Sequence, residues 1–420
     1  MRIAIIALGS RGDVQPYIAL GKGLQTAGNA VRLITHENYE KLINAHQLEF
    51  WPVYGNIQEF TESPEMRALL EKGNFLAIMS YAAKAAKVAT LNWAKEGLAA
   101  CQGMDLIVGG FGGMFIGVAL AEKFDLPLLQ AHYVPFTPTR EFPGALFPQS
   151  IARLGGAANR LSHHLTRQMM WQQGRDADAA ARQQVLGLPA APFFGPYHAE
   201  ALQRTPVLYG FSPAVIAKPA DWGANIHITG YWFLESERAW TPPPSLKDFL
   251  QNGPAPVYIG FGSMSSRKPE ETAHLILQAL AQTGQRAILL SGWNGMQAEK
   301  LPENVLVVDS IPHDWLFEHV AVVVHHGGAG TTAAGLRAGV PTIVIPFFAD
   351  QPFWGQRVAD LGVGPQPIPR QQLTAERLAQ AIQQAVSDSA MRQRAADLGA
   401  KIRAEDGIGQ AVKIIGRIQP

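Results

Sequence analysis

The residues best suited to chemistry lie in the segment 325–351, which reads HHGGAGTTAAGLRAGVPTIVIPFFADQ. Residues 320–324 are apolar and predict a buried strand, and residues 331–338 predict a helix, so a glycine-rich turn joins strand to helix. Free amides and the helix dipole favour an anion at such a helix start, and small residues let a phosphate approach the backbone. His326 adds a side-chain donor beside the turn. The predicted phosphate-binding residues are Gly328, Ala329, Gly330 and Thr331.

A pair of polar residues, Asp350 and Gln351, follows the next predicted strand at 342–346. A carboxylate accepts hydrogen bonds from hydroxyls, and an amide both donates and accepts them, so the pair suits a sugar. Ligands of open α/β sheets bind beyond the carboxyl ends of the strands. A phosphate site and a hydroxyl site at neighbouring strand ends therefore predict a nucleotide sugar as the ligand.

The first turn of the chain, GSRGDVQP at 9–16, follows a predicted strand at 2–8 and opens a helix. Asp13 has two interpretations: it could be a helix N-cap, or it could be a general base that faces the ligand crevice. The position of the turn at the end of the first strand favours the base. The residues of this turn that we expect to face the donor are Ser10, Arg11 and Gly12.

Further strand ends offer donor contacts. Ser263 lies in the turn GFGSM after the strand at 257–261, and Trp293 and Ile311 follow two later strands. A tryptophan face or the backbone at Ile311 suits a nucleobase, and Trp315 is a second aromatic candidate. Core packing is the commoner use of tryptophan, so both interpretations of these side chains stay open.

An aromatic region in the first half of the chain suggests a hydrophobic acceptor site. Apolar residues follow a predicted strand at 106–108, and the proline-rich loop 132–143 follows the next strand. Helical stretches at 66–100 and 161–171 could cover the same pocket, or they could belong to the core. The predicted acceptor-binding residues are Phe111, Met114, His132, Phe136 and Phe142.

Composition and charge exclude several classes of partner. The 35 Lys and Arg residues balance 34 Asp and Glu residues, so no basic field favours nucleic acid or an anionic membrane. The single cysteine, Cys101, cannot form an internal disulfide and indicates a reducing cytoplasm. No uncharged stretch reaches the ~20 residues that a spanning helix needs, although transient membrane contact is compatible with the sequence. His325 and His326 point in opposite directions at a strand end, so no metal site is predicted.

Strands and helices alternate along both halves of the chain, which predicts parallel sheets covered by helices on both faces. The fold class is therefore α/β, with two doubly wound, Rossmann-like domains that face each other across a cleft. Prolines at 242–244 mark a stiff connection. We expect an N-terminal, acceptor-binding domain over 1–215 and a C-terminal, nucleotide-sugar-binding domain over 216–394.

Five motifs follow one another along the chain: GSRGDVQP at 9–16, FTPTREFP at 136–143, GFGSM at 260–264, IPHDWLF at 311–317 and the 325–351 segment. In this order they resemble the motifs of the family-one glycosyltransferases, which have the GT-B fold, and most closely those of the sterol 3-beta-glucosyltransferases and their bacterial relatives. Related glycopeptide-antibiotic and rhamnolipid transferases share much of the pattern. The resemblance also implies that the final helix, within 395–420, packs back on the first domain.

The resemblance implies roles for the donor-side residues. His326 and the turn at 328–331 would contact the donor diphosphate, beside Ser263. Asp350 and Gln351 would hold the sugar hydroxyls. These roles agree with the chemistry that the residue types suggest by themselves.

Two other positions differ from the commonest family pattern. Asp13 stands where many relatives carry a catalytic histidine and where sterol-type and antibiotic-type members carry aspartate. Many plant members stack uracil on a tryptophan at the position where this chain has Ser310.

The implied activity is an inverting transfer of a hexose from UDP-glucose, without metal or other cofactor, to a hydroxyl of a hydrophobic acceptor such as a sterol or related triterpenoid. A polyketide, glycopeptide, flavonoid or hydroxy-lipid acceptor is the alternative. A non-hydrolysing epimerase would need further carboxylates in the cleft. A non-catalytic nucleotide-sugar-binding protein would have no use for Asp13 together with Asp350 and Gln351.

Overall fold

The computed structural model describes residues 1–56, 63–65, 75–235, 240–261, 269–290 and 301–418. These residues form two β-sheets, one of seven strands and one of five. Neighbouring strands pair in parallel throughout both sheets. Parallel sheets of apolar strands need helices on both faces, which accounts for the alternation of the sequence pattern.

The first sheet has the strand order β3-β2-β1-β4-β5-β6-β7. β1 lies between β2 and β4, so the strand order changes direction there and a crevice opens beyond the carboxyl ends of β1 and β4. The turn at 9–16 lies at this switch point. The strands are β1 Arg2–Ile6, β2 Ala30–His36, β3 Glu49–Val53, β4 Leu106–Gly109, β5 Leu128–His132, β6 Val207–Tyr209 and β7 Ile226–Ile228.

Helices connect these strands and bury their apolar faces on the sheet. In the first helix, Val14 and Ile18 are four residues apart, on one face, and both are fully buried. Pro16 lies in the second turn of this helix. The helices of this part are Arg11–Thr26, Glu40–Ala45, Phe75–Ala100, Met114–Phe124, Gly156–Ala181 and Glu200–Gln203.

The second sheet has the strand order β10-β9-β8-β11-β12. Its switch point lies between β8 and β11, so the glycine-rich turn after β11 faces the second crevice. The strands are β8 Val257–Gly260, β9 Ala287–Leu290, β10 Val305–Val308, β11 Val322–His325 and β12 Thr342–Val344. The helices are Pro244–Gln251, Pro269–Thr283, His313–Leu316, Ala329–Ala338, Gln351–Asp360, Ala375–Ser387, Ser389–Arg403 and Gly407–Ile415.

The connection between the sheets begins later than residue 215. β7 belongs to the first sheet, and Trp232 packs against Tyr17 in its core, with ring centroids 6.2 Å apart. We propose that the first domain continues through Trp232 and that the connection follows it.

The last two helices pack on different sheets. Gly399 in the helix Ser389–Arg403 lies directly on the backbone of Gly339, at the end of the helix Ala329–Ala338. The final helix, Gly407–Ile415, buries Ala411 and Ile415 in the core of the first sheet. The chain therefore returns to the part of the molecule built on the first sheet between residues 403 and 407.

A hydrophobic core joins the two parts of the molecule, the one built on the first sheet and the one built on the second. Residues of both parts contribute to this core, which lies behind the cleft. Phe211, which follows β6, packs edge-on against Trp354, with ring centroids 6.4 Å apart. The Arg357 Nε atom donates to the carbonyl oxygen of Val215 at 2.7 Å. Both Trp354 and Arg357 lie on the helix that starts at Gln351, so these contacts hold the predicted sugar-binding turn against the first part.

Candidate functional site

The glycine-rich turn is a strand-to-helix connection with an accessible helix start. β11 ends at His325, and the helix Ala329–Ala338 begins after its N-cap, Gly328. Gly327 has φ +93°, and its N–H donates to His325 Nδ1 at 3.0 Å. A Cβ at Gly330 would meet no described atom within 4 Å, so open space lies above the second residue of the helix. An anion above the helix start would face the free amides there.

His326 lies over this turn as a neutral donor. Burial lowers its pKa to about 4, so the ring is uncharged at neutral pH. Its Nδ1 atom is buried and has no hydrogen-bond partner within the described residues. The Nε2 atom lies 2.5 Å from where a Cβ of Gly328 would be, so a larger residue there would displace the His326 ring. A neutral imidazole with one N–H can bind a phosphate oxygen.

The predicted sugar-binding pair occupies the neighbouring turn. Gln351 Oε1 accepts the backbone N–H groups of Phe347 and Phe348, at 2.8 and 3.2 Å, and thereby shapes the loop. The Cα of Gly327 lies against the backbone and Cβ of Gln351, where a Cβ would be 3.0–3.2 Å away. The phosphate turn and the Asp350–Gln351 turn are therefore in direct contact, as neighbouring parallel strands require.

Asp350 is a half-buried carboxylate at the start of its helix. Its Oδ2 atom accepts the indole N–H of Trp354 at 2.9 Å. Burial raises the pKa of Asp350 to about 6, the bond from Trp354 opposes this rise, and the charge of Asp13 adds to it. The second oxygen of this carboxylate, Oδ1, can accept the hydrogen bond that the predicted contact with a sugar hydroxyl requires.

Asp13 is held firmly at the end of the first strand. It is the third residue of its helix, and its Oδ2 accepts the N–H and the Oγ–H of Ser10, the N-cap, at 2.6 and 2.7 Å. Gly9 has φ +146°, and a Cβ there would overlap the Asp13 carboxylate. The N-cap interpretation of Asp13 is wrong, because Ser10 is the N-cap and Asp13 is the third helical residue, which binds Ser10. The general base stays a prediction, since the same carboxylate lies where the crevice opens beyond β1.

Tyr133 is a neighbour of Asp13 that the sequence reasoning missed. Its hydroxyl donates to Asp13 Oδ1, and its ring packs edge-on against Tyr17 at 6.4 Å. Burial, and after it the charge of Asp13, raises the pKa of Tyr133 well above its ordinary value, so the hydroxyl stays protonated. The available signal was its position directly after the last residue of β5, one step from His132.

Charged groups of the two parts act on each other across the cleft. The charge of Asp13 contributes to the raised pKa of Asp350, and Asp350 contributes to the raised pKa of Tyr133. Likewise, burial lowers the pKa of His313 to about 4, with a contribution from the exposed side chain of Arg11. The turn at 9–16 therefore lies opposite the carboxyl ends of the second sheet.

Only some of the residues predicted to contact the nucleobase lie in the described part of the chain. Ile311 is 7% exposed and packs with the core residues around Tyr258 and Phe317, so only its backbone remains for a base. Trp315 stacks on His319, with ring centroids 4.3 Å apart. Ser263 and Trp293 lie outside the described residues.

Three of the predicted acceptor residues, Phe111, His132 and Phe136, form one aromatic cluster. Phe111 is half-buried and packs edge-on against Phe136, with centroids 5.8 Å apart. Phe142 is also half-buried, and it contacts Phe353 of the second part at 5.8 Å. The three remaining candidates are deeply buried, with exposed fractions of 2%, 1% and 4% for Met114, His132 and Phe136. Phe111 and Phe142 therefore offer more surface to an acceptor.

No group of three His, Cys, Asp or Glu side chains in the described ranges could hold a metal ion. Nor does any helix in those ranges have the length and apolar character needed to cross a membrane.

Solved structures with the same architecture are glycosyltransferases of GT-B fold. The glycosyltransferase VinC in complex with DTDP superposes with a TM-score of 0.71 at 18% identity, over 100% of this chain and 99% of that chain. The calicheamicin glycosyltransferase CalG4 gives a TM-score of 0.66 at 19% identity, over all of both chains. The predicted class, two facing α/β domains of the GT-B type, is confirmed.

Matches to family models and to a relative identify the family within the GT-B glycosyltransferases. Residues 3–143 match the glycosyltransferase family 28 N-terminal domain, and residues 264–414 match the erythromycin biosynthesis protein CIII-like C-terminal domain. A sterol 3-beta-glucosyltransferase of Arabidopsis thaliana is 37% identical over 100% of this chain and 68% of its own length. The chain belongs to the sterol 3-beta-glucosyltransferase family.

Fungal members of the family are much longer than this chain. The sterol 3-beta-glucosyltransferase of Cryptococcus neoformans is 36% identical over 99% of this chain, which spans 27% of that protein. The Aspergillus fumigatus protein is 37% identical over 99% of this chain, which spans 30% of it.

Proposed function

We propose that this protein transfers glucose from UDP-glucose to a hydroxyl of a hydrophobic acceptor such as a sterol, with inversion at the anomeric carbon. The observation that carries the proposal is that Asp13 lies near enough to Asp350 of the second sheet for its charge to add to the raised pKa of Asp350. A base from the first sheet thereby faces the sugar-binding turn of the second. The 36–38% identity to sterol 3-beta-glucosyltransferases supports the same substrates.

Asp13 acts as the general base in this proposal. It removes the proton of the acceptor hydroxyl while the hydroxyl oxygen attacks the anomeric carbon and the bond to the diphosphate oxygen breaks. General-base assistance contributes roughly 10²–10⁴-fold. Ser10 and Tyr133 donate to the two carboxylate oxygens, so they fix the orientation of the base. Oδ2 accepts two hydrogen bonds from Ser10, whereas Oδ1 accepts only from Tyr133 and keeps a lone pair for the acceptor hydroxyl.

The leaving diphosphate gains negative charge as the bond breaks. Neutral His326 and the amides of Gly328, Ala329, Gly330 and Thr331 are fixed dipoles aimed at that charge. We propose that these groups stabilise the leaving group without a metal ion, and that Ser263 contributes from the turn after β8. Asp350 and Gln351 bind the sugar hydroxyls and position the anomeric carbon.

The proposal also covers the remaining donor contacts, the acceptor-binding residues and the cellular compartment. We assign Ser10, Arg11 and Gly12 to the donor side of the cleft, with Ile311 or Trp293 against the base. The aromatic cluster around Phe111 binds the acceptor. Cys101 is buried and unpaired, which fits a cytoplasmic setting.

The test is a transfer assay with UDP-glucose and a panel of acceptors. We expect UDP release and a glucoside of the expected mass only when a hydroxylated acceptor is present, and more product with a sterol than with a flavonoid, polyketide or glycopeptide. UDP release that does not depend on the acceptor would reject transfer. Transfer to another acceptor class with none to sterols would reject the sterol assignment.

A further inference from the structure

An arginine without a carboxylate partner lies inside the aromatic cluster of the first domain. The guanidinium of Arg167 lies 5.1 Å from the ring centroids of both Phe136 and Tyr197. Its Nε donates to the Phe136 carbonyl oxygen at 3.2 Å. Burial lowers the pKa of Arg167. Within the described ranges no carboxylate forms an ion pair with it.

The same region of the chain pairs another arginine, Arg182, with two carboxylates. Arg182 is 2% exposed and binds Glu122 at 2.6 Å and Asp178 at 2.9 Å. That arrangement follows the general rule that a buried charge needs an opposite charge. Aromatic faces stabilise the cation of Arg167 in part, but they leave its outer N–H groups available for an anion.

A buried histidine beside Arg167 also has unused hydrogen-bonding atoms. His132 is 1% exposed, and neither of its ring nitrogens has a partner among the described residues. Its ring packs on Phe136, with centroids 5.5 Å apart. Burial, and after it the charge of Arg167, lowers the pKa of His132 to about 3, so the ring is neutral and carries one N–H donor.

Carboxylates are scarce around these two side chains. The segment 142–175 contains four arginines, two histidines and no Asp or Glu. Two carboxylates of nearby loops already have partners: Asp221 accepts from Thr139 and Arg140, at 2.6 and 2.9 Å, and Glu141 accepts from Ala220 at 2.6 Å. Arg167 and His132 thus place hydrogen-bond donors and a positive charge among otherwise apolar side chains.

We propose that Arg167 and His132 form a binding site for an acidic group, such as a carboxylate or sulfate, on the hydrophobic acceptor. The site lies in the same cluster as Phe111, which contacts Phe136. This inference rests on the proposed function, because it names the class of acceptor that the glucosyl transfer uses. The preferred acceptor carries a hydroxyl at one end, an apolar body and an acid at another position.

The first experiment compares two acceptors that differ only in charge: a 3-hydroxy steroid carboxylic acid and its methyl ester. We expect kcat/KM for the acid to exceed that for the ester by about tenfold or more, since hydrogen bonds to charged groups are the stronger class. Equal values, or a preference for the ester, would overturn the inference. This comparison needs no variant, so it does not depend on how a substitution folds.

Variants then assign the preference to Arg167. In Arg167→Gln we expect the acid and the ester to become equivalent, through a higher KM for the acid, and Arg167→Lys to keep part of the preference. Arg175→Gln is the matched control, since Arg175 lies two turns later on the same helix, over the ring of Phe193 at 4.9 Å. Equal losses for acid and ester in Arg167→Gln would show a purely structural arginine.

A binding assay separates this inference from the proposed function. A steroid acid without the 3-hydroxyl cannot be glucosylated there, so calorimetric titration of this compound and its methyl ester measures recognition alone. Tighter binding of the acid, lost in Arg167→Gln, supports the acid site even if no acceptor is turned over. Turnover of sterols with no binding preference for the acid would keep the proposed function and remove the acid site.

Discussion

The proposed site has a donor half and an acceptor half, and these two halves are built in different ways. In the donor half, one short turn after β11 provides the helix start and His326, and the adjoining turn provides Asp350 and Gln351. In the acceptor half, side chains come from separate strand ends, a long helix and a loop, and they meet only through tertiary packing. The donor half is therefore a backbone site, and the acceptor half is a side-chain site.

This difference determines what each half can recognise. Backbone amides and a helix start are fixed in space and suit a constant chemical group such as a diphosphate. Aromatic faces provide large contact areas with little directional preference, so they define a shape more than a chemical group. Directional recognition in the acceptor half depends on the few polar side chains there, Tyr133, His132 and Arg167.

The largest effect should come from the residue where the halves meet. Asp13→Asn removes the proposed base but keeps a side chain that can accept from Ser10. We expect turnover to fall by roughly 10²–10⁴-fold. UDP-glucose affinity, measured by calorimetry, should stay within about threefold. Full turnover in Asp13→Asn would reject the base, and a large loss of donor affinity would show that the halves do not act separately.

The second prediction tests the backbone character of the donor half. Gly330→Ala adds a methyl group that meets no described atom within 4 Å, and alanine suits a helix better than glycine. Thermal stability should therefore stay unchanged or rise. Donor affinity should fall by about tenfold or more, because the methyl group occupies the proposed position of the phosphate.

A matched variant tests whether the open space above the helix start is the reason for the loss of donor affinity in Gly330→Ala. Gly284→Ala also meets no described atom within 4 Å, but it lies far from the site in sequence, after the helix Pro269–Thr283, and has φ +62°. Its cost should appear in stability and not in donor affinity. Unchanged donor binding in Gly330→Ala would place the diphosphate elsewhere.

The third prediction addresses the acceptor half. Phe111→Ala removes a half-buried ring from the aromatic cluster, and we expect the KM for the acceptor to rise by about tenfold while the KM for UDP-glucose stays constant. Phe194→Ala is the control, because that ring is 74% exposed and outside the cluster. A parallel rise of both KM values would argue against separate halves.

The sequence predicted the strand, turn and helix at 325–351 well, because the contacts that form them are local. The pattern of apolar strand, glycines and helix determines the position of the amides. Parallel pairing of β11 with β12 then brings Asp350 and Gln351 to the same edge. Even here the predicted strand at 320–324 is displaced, and β11 in fact ends at His325.

The acceptor half was less predictable because its contacts span the chain. Tyr133 binds Asp13 across 120 residues of sequence, and Arg167 reaches Phe136 from a separate helix. No local pattern indicates such contacts. β7 also escaped prediction, since a three-residue strand, Ile226–Ile228, is too short to show a period.

The smallest predicted effect is on the stability of the folded protein. It distinguishes the contribution of Asp350 to stability from its proposed role in donor binding. The pKa of Asp350 is raised from 3.8 to about 6, so between these values the folded protein binds a proton that the unfolded chain has released. Stability therefore falls as pH rises through this window and is lower above about pH 6. Asp350→Asn removes this loss and keeps an acceptor for the indole of Trp354.

We expect Asp350→Asn to melt at a higher temperature than the parent protein at pH 8 and at the same temperature below about pH 4. Because the carboxylate is only half-buried, the gain should be roughly 1 kcal/mol, or about 2–4 °C. Donor affinity should fall at the same time, since the proposed hydroxyl acceptor is weakened. Asp360→Asn, on the same helix at a half-exposed position, is the control and should not change the pH dependence of melting. A pH-independent difference in melting temperature would contradict the raised pKa of Asp350 and leave its role to packing alone.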